Sequence, residues 1–168
     1  MARRGCITAA VTIRDYRDSD ELALSGLLRE LQTAELKFNA RLKPAGEIGE
    51  WYIERLRQQC GALAGAILLA MNGSSCLGCA VVLTKVEEKG DGEELPFTYA
   101  HVSELIVTIE ARGRGIGKAL LKECERRSRA AGRDEMTIAV YAANESALNL
   151  YRSCGFADTK VRLRKTLA

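Results

Sequence analysis

The stretch Val102-Ser-Glu-Leu-Ile-Val-Thr-Ile-Glu-Ala-Arg-Gly-Arg-Gly-Ile-Gly-Lys-Ala-Leu-Leu121 reads as strand, turn and helix. Val102, Leu105, Ile106, Val107 and Ile109 make an aliphatic run dense enough for a strand covered on both faces. From Lys118 onward, Ala119, Leu120, Leu121, Cys124 and Ala131 recur at helical spacing. Glu123, Glu125, Arg126, Arg127 and Arg129 stand between them, and Gly132 marks the stop.

The turn between strand and helix is an anion cradle. Gly113, Gly115 and Gly117 leave successive backbone N–H groups uncovered, where the helix adds its free amides and the positive end of its dipole. Arg112, Arg114 and Lys118 surround it, so the expected guest is a phosphate or pyrophosphate. Two nucleotide motifs fail on residues that are present. A P-loop needs glycine at Arg112 and Ser or Thr at Ala119, and the dinucleotide pattern needs glycine at Lys118.

Arg112-x-x-Gly115-x-Gly117, directly after a strand bearing Glu104, resembles the acetyl-coenzyme A motif of the GNAT N-acetyltransferases. The downstream run Asn144-Glu-Ser-Ala-Leu-Asn-Leu-Tyr-Arg-Ser-Cys-Gly-Phe156 is similar to the second motif of that family, and the element order follows it over about residues 11 to 165. The resemblance implies an α/β fold with a mixed, mostly antiparallel sheet of six to seven strands, splayed after the fourth and flanked by about four helices. It implies transfer of the acetyl group of acetyl-CoA to a primary amine of a small molecule or peptide N-terminus, by direct attack with both substrates bound. Acetyl-CoA would lie against Leu105, Ile106 and Val107, the turn Arg112, Gly113, Arg114, Gly115, Ile116, Gly117 and Lys118, and the downstream Asn144 and Tyr151. Pantetheine is extended and amide-bearing, so it would pair like a strand with backbone groups of Ile106 and Val107.

Length and composition set bounds of their own. A chain of 168 residues, 47% apolar and 28% charged, suits one soluble domain spanning 1–168. Met1 to Arg4 is basic, but the apolar stretch Cys6 to Val11 is too short for a signal-peptide core, and no segment is long enough to cross a membrane. A cytoplasmic location without membrane contact is therefore expected. The net charge of +3 is too small to argue for nucleic acid, and Arg126, Arg127, Arg129 and Arg133 suit the dipole at a helix end. Six scattered cysteines in such a chain read as reduced thiols. Cys76-x-x-Cys79 has metal spacing, yet neither a second pair nor a nearby histidine completes a zinc site, so no metal is expected.

Along the chain, Val11–Arg14 reads as a first strand. Asp18 and Glu21 form a capping box for a helix to about Phe38, with Leu22, Leu24, Leu27, Leu28 and Leu31 as its apolar face. Pro44 opens a second helix carrying Trp51, Tyr52, Ile53, Leu56 and Cys60, closed by Gly61. In the resembled family this helical pair lies over the acceptor. Ala66–Met71 and Cys76–Val86 are strands joined by the turn signal Asn72-Gly73. Residues 87–94, with five carboxylates and one lysine, read as a solvated loop. Tyr99–Val107, Met136–Tyr141 and Phe156–Leu163 are further strands, and Ser146–Ser153 is a short helix.

Acetyl transfer needs a neutral amine, whereas an alkylammonium has a pKa near 10.4. Glu104, set among apolar residues, should be desolvated enough to act as a base. A glutamate at this strand position does that work in the resembled family. His101 lies three residues earlier, on the opposite face by strict alternation, unless a bulge changes the parity. Tyr151 resembles the tyrosine of that family that protonates the leaving thiolate. Asn144 suits a helix N-cap, a role compatible with touching pantetheine. A second class stays open, a non-catalytic acyl-CoA-binding module in which Glu104 and Tyr151 serve packing, and so does a homodimer. The acceptor is not legible, because one fold serves many substrates.

Overall fold

The computed structural model describes residues 11–90, 92–165 and 167. The basic start, the apolar stretch to Ala10, Cys6 and Asp91 of the acidic segment lie outside the described residues. The elements run β1 (Thr12–Asp15), α1 (Glu21–Leu36), α2 (Glu50–Ala62), β2 (Gly65–Asn72), β3 (Ser75–Glu88), β4 (Phe97–Val107), α3 (Ile116–Ala130), β5 (Met136–Ile138) and α4 (Glu145–Ser153). The strands form one sheet in sequence order, antiparallel except for the parallel β4–β5 pair.

The strand period of two sorts the core into two layers. Ile67, Leu69, Met71, Cys79, Val81, Leu83 and Ile106 face Leu24, Leu27, Leu28, Ile53 and Leu56 of α1 and α2. Leu68, Ala70, Ala80, Val82 and Val102 face Ile116, Leu120, Leu121 and Cys124 of α3, with Tyr151 of α4. Both sheet faces are thus covered by helices, which is why Gly65–Met71 of β2 and Cys76–Leu83 of β3 carry no polar side chain apart from cysteine. The cysteines pack as small hydrophobes. Burial lifts Cys60 to about 11 and Cys124 to about 12 and raises Cys79 well above the ordinary thiol range, so these thiols stay un-ionised.

Among the described residues the sheet has five strands, not the six to seven expected. Phe156 packs edge-on against Tyr151 with ring centroids 6.0 Å apart, but beyond it residues 157–165 form no strand. Val161 and Leu163 lie 72% and 89% exposed. Their alternation with Lys160, Arg162 and Arg164 offers only one apolar edge, and β5, at three residues, is too short to template a long partner. β5 itself ends at Ile138 rather than Tyr141, because it leaves β4 after the Val102↔Ile138 pair. This is the expected splay.

Smaller differences have local causes. Glu87 and Glu88 are not loop but the end of β3, opposite Thr98 and Phe97. Leu22 is 88% exposed, one residue into α1, while Gln32 takes a buried place on that helix. The capping carboxylate is Asp20, not Asp18, and it closes the 3-10 turn Asp18–Asp20 ahead of α1: it accepts from Arg17 N at 2.8 Å and pairs with Arg14 at 2.7 Å. Pro44 precedes a 3-10 turn, Ala45–Glu47, and α2 starts only at Glu50 and runs past Gly61. Ile109 leaves the strand for a 3-10 turn and is 66% exposed. The arginines near the end of α3 are occupied within the chain. Arg126 and Arg127 hold Glu123, Arg127 also reaches Asp15 on β1, Arg129 holds Glu125, and Arg133 donates to Ala131 O.

Candidate active site

The glycine turn forms as its sequence requires. Gly113 and Gly115 take φ of +73° and +78°, the left-handed region that glycine enters at little cost, and this bends the chain into the first turn of α3. Among the described residues, the N–H groups of Gly113 through Lys118 find no acceptor within the protein; the first taken amide is that of Ala119, which donates to Gly115 O at 3.0 Å. Six free donors at the positive end of a fifteen-residue helix fit a pyrophosphate. A Cβ on Gly117 would meet Leu150 Cδ2 at 3.0 Å, and Val107 Cγ2 is 3.9 Å away. The cradle therefore packs directly on α4 and on the end of β4. Arg114 and Lys118 form no ion pair among the described residues, whereas Arg112 is committed internally. Its Nε donates to Val107 O at 2.9 Å and its Nη2 approaches Glu30 at 3.5 Å.

Past the splay, β4 has a free edge. Thr108 N donates to Leu77 O at 2.9 Å, so by antiparallel alternation Ile106 turns its backbone groups toward β3, and Leu105 and Val107 turn theirs outward. The edge available to an extended ligand is therefore that of Leu105 and Val107, with Ile106 on the paired side. At the start of this edge the register slips between Val81/Val82, leaving Ser103 as the extra residue of a bulge. The Ser103 hydroxyl is buried without a partner.

The bulge also resets parity. Glu104 lies opposite Val81 and His101 opposite Leu83, so both share the α1/α2 face, against strict alternation. His101 is satisfied by Thr137 Oγ1 at 2.8 Å, and burial lowers its pKa. Glu104 stands in a different setting. Its side chain is 12% exposed, and burial pushes its pKa up to about 7, a rise tempered by Tyr52 and Arg55 and reinforced by Glu35. Tyr52 Oη donates to Glu104 Oε1 at 2.8 Å, and Arg55 Nη2 stands 4.0 Å from the same oxygen. The Arg55 guanidinium also lies 4.2 Å from the centre of the Tyr52 ring.

Tyr151 approaches from the other layer, on the buried side of α4, a helix whose first turn is capped by Asn144 Oδ1 accepting from Ala147 N at 3.3 Å. Burial pushes its phenol up to about 12, with a smaller push from Glu35. Glu35 of α1 thus raises the pKa of both Glu104 and Tyr151. Phe38 stacks on Tyr141 at 5.8 Å and Asn39 Nδ2 donates to Tyr141 Oη at 3.2 Å, tying the end of α1 across the splay. A shallow groove of about 230 Å3 beside α3 is lined by Lys118, Lys122, Met136, Cys154 and Phe156, and neither Glu104 nor Tyr151 lines it.

Tyr52, Arg55 and Glu35 were not singled out by the sequence as site residues. Each sits at an inward or flanking position of an amphipathic helix, and nothing local distinguishes it from a packing or surface residue. No cluster of three or more His, Cys, Asp or Glu side chains suited to a metal occurs among the described residues, and no helix among them is long and apolar enough to cross a membrane.

Comparison with known proteins bears on the fold and the family. An uncharacterized N-acetyltransferase of Bacillus subtilis, YdgE, is 38% identical over 56 residues, a match that spans 33% of this chain and 36% of that relative. Among solved structures, a tetramutant of the BH1408 protein of Bacillus halodurans superposes with a TM-score of 0.82 at 19% identity, over 93% of this chain and 99% of the other. AAC(6')-Iy, solved with the bisubstrate analog CoA-S-monomethyl-acetylneamine, gives 0.74 at 17% identity over 95% and 99%. These similarities show a shared fold. The profile of the Acetyltransferase (GNAT) family matches residues 28–156, most of the chain and all of the site from Glu30 to Phe156, and the chain belongs to that family.

Proposed function

We propose that this chain transfers the acetyl group of acetyl-CoA to a primary amine of a small molecule or peptide N-terminus, with both substrates bound together. The observation that carries the reading is Glu104, a carboxylate buried on the free-edged strand with its pKa near 7. A base of that strength is half ionised at neutral pH and strong enough to take a proton from an ammonium as it approaches. Acetyl-CoA, when bound, supplies an activated thioester and a thiolate leaving group.

The cradle of Gly113 to Lys118 would hold its pyrophosphate, with Arg114 and Lys118 as the available cations. The outward groups of Leu105 and Val107 would pair with pantetheine, Val107 through its N–H because its carbonyl already accepts from Arg112. Glu104 removes the proton of the acceptor amine, directly or through water. Tyr151 would offer its hydroxyl to the leaving sulfur. A phenol near 12 is about 3 units above an ordinary thiol, so complete transfer would run uphill by about 4 to 5 kcal/mol. Tyr151 therefore stabilises the thiolate as a hydrogen-bond donor, and solvent completes the protonation.

Thiol release from acetyl-CoA over a panel of primary amines and N-terminal peptides tests the reading. Amine-dependent release is expected. Binding of acetyl-CoA with no release for any amine would favour a non-catalytic acyl-CoA-binding module.

A further inference from the structure

We propose that Tyr52 is a positioning residue for the reaction, holding Glu104 by one carboxylate oxygen so that the other is presented to the acceptor amine, with Arg55 as its companion on the same helix. This rests on the reading of Glu104 as the base. The geometry is specific. Tyr52 Oη donates to Glu104 Oε1 at 2.8 Å, Arg55 approaches that same oxygen at 4.0 Å, and Oε2 takes no hydrogen bond among the described residues. The contact joins α2, one of the two helices over this sheet face, to the strand that carries the free edge.

The groups acting on Glu104 come from three elements. Tyr52 and Arg55 of α2 favour the ionised carboxylate, Glu35 of α1 opposes it, and Cys79 of β3, fully buried and un-ionised, adds no charge. Burial alone would hold the acid protonated to higher pH than it is with these partners. A hydrogen bond donated to a carboxylate favours its charged form. Tyr52 thus keeps a desolvated acid ionised enough to serve. Burial and the neighbouring carboxylate in turn raise the Tyr52 phenol, so it stays a donor throughout the pH range of the enzyme.

The test is a carboxyl-carbon NMR titration of the full chain labelled at glutamate Cδ, with E104Q used to assign the Glu104 signal. Wild type should titrate near pH 7, and Y52F should titrate about one pH unit higher, the size expected for a lost charge-assisted hydrogen bond. R55Q leaves the Tyr52 hydroxyl in place and should move the midpoint the same way by less, which keeps the test open if Y52F folds poorly. An unmoved midpoint in folded Y52F, or in R55Q when Y52F does not fold, overturns the proposal. Thiol release by E104Q separates the two readings. Full turnover there overturns Glu104 as the base, and with it the catalytic meaning of Tyr52, even if the midpoint shifts.

Discussion

Tyr52 and Glu104, 52 positions apart in sequence, are joined by a 2.8 Å hydrogen bond from the phenol to a carboxylate that burial has pushed up to about 7. The pair links an amphipathic helix to the central strand at the place where the sheet opens. An acid in this setting is caught between two forces, since desolvation asks it to hold its proton while the phenol and Arg55 ask it to release it. The balance lies near neutral pH. The base role proposed for Glu104 would use that balance.

Glu104→Gln keeps the shape of the side chain and most of its contacts while removing the base. Turnover at neutral pH should fall by about 10² or more, the scale of general-base loss, with acetyl-CoA affinity nearly unchanged. The deficit should shrink as pH rises toward the pKa of the acceptor amine, because free amine then needs no help. In wild type, kcat/KM should decline below about pH 7 as Glu104 becomes protonated. A variant with wild-type turnover at every pH would show that the proton leaves by another route.

Where the signal was local, the sequence was sufficient. The run from Val102 to Leu121 carries its own strand pattern, its own glycines and its own helix stripe, and the Asn144 cap needs only the residues beside it. Where the outcome depended on distant partners, the sequence was silent or misleading. Phe156–Leu163 alternates like a strand, but the three-residue β5 offers it little to pair with. One bulged residue, Ser103, brought His101 to the face of Glu104. The contacts of Arg112 with Val107 O and Glu30 could not be read from its neighbours in sequence. Glu35 and Tyr52 enter the site only because α1 and α2 fold over it.

Tyr151→Phe should lower kcat by about tenfold, in keeping with one hydrogen bond to a developing charge, while acetyl-CoA affinity stays close to wild type. The ring keeps its packing on Phe156, so the folded state should persist. Single-turnover measurement of thiol release is the check. An unchanged chemical step would make Tyr151 a packing residue of the α3/α4 layer.

Gly115→Val should weaken acetyl-CoA binding by about tenfold or more, measured by calorimetry. Gly115 has φ +78°, where a β-branched residue is strained, yet a Cβ there would meet nothing within 4 Å. The loss would therefore report a distorted cradle rather than a steric clash with the core. Wild-type affinity should fall with added salt, as a phosphate contact near exposed cations requires. Undiminished affinity in the variant would remove the cradle from the binding site.

Folding stability should carry the mark of Glu104 as well. Its folded-state pKa near 7 lies above the ordinary 4.5, so the folded protein binds this proton more tightly than the unfolded chain. A raised acid pKa means that stability is highest when the group is protonated and is lost as pH climbs from about 4.5 to 7, with no further loss above. The total is about 3 kcal/mol at most. Glu104→Gln removes the titration but keeps an acceptor for Tyr52. The variant should match wild type near pH 4 and become progressively more stable than it toward pH 8, as read by urea unfolding at each pH. A constant difference between the two proteins across that range would mean that Glu104 is not desolvated in the fold, and the case for it as a tuned base would fall with that result.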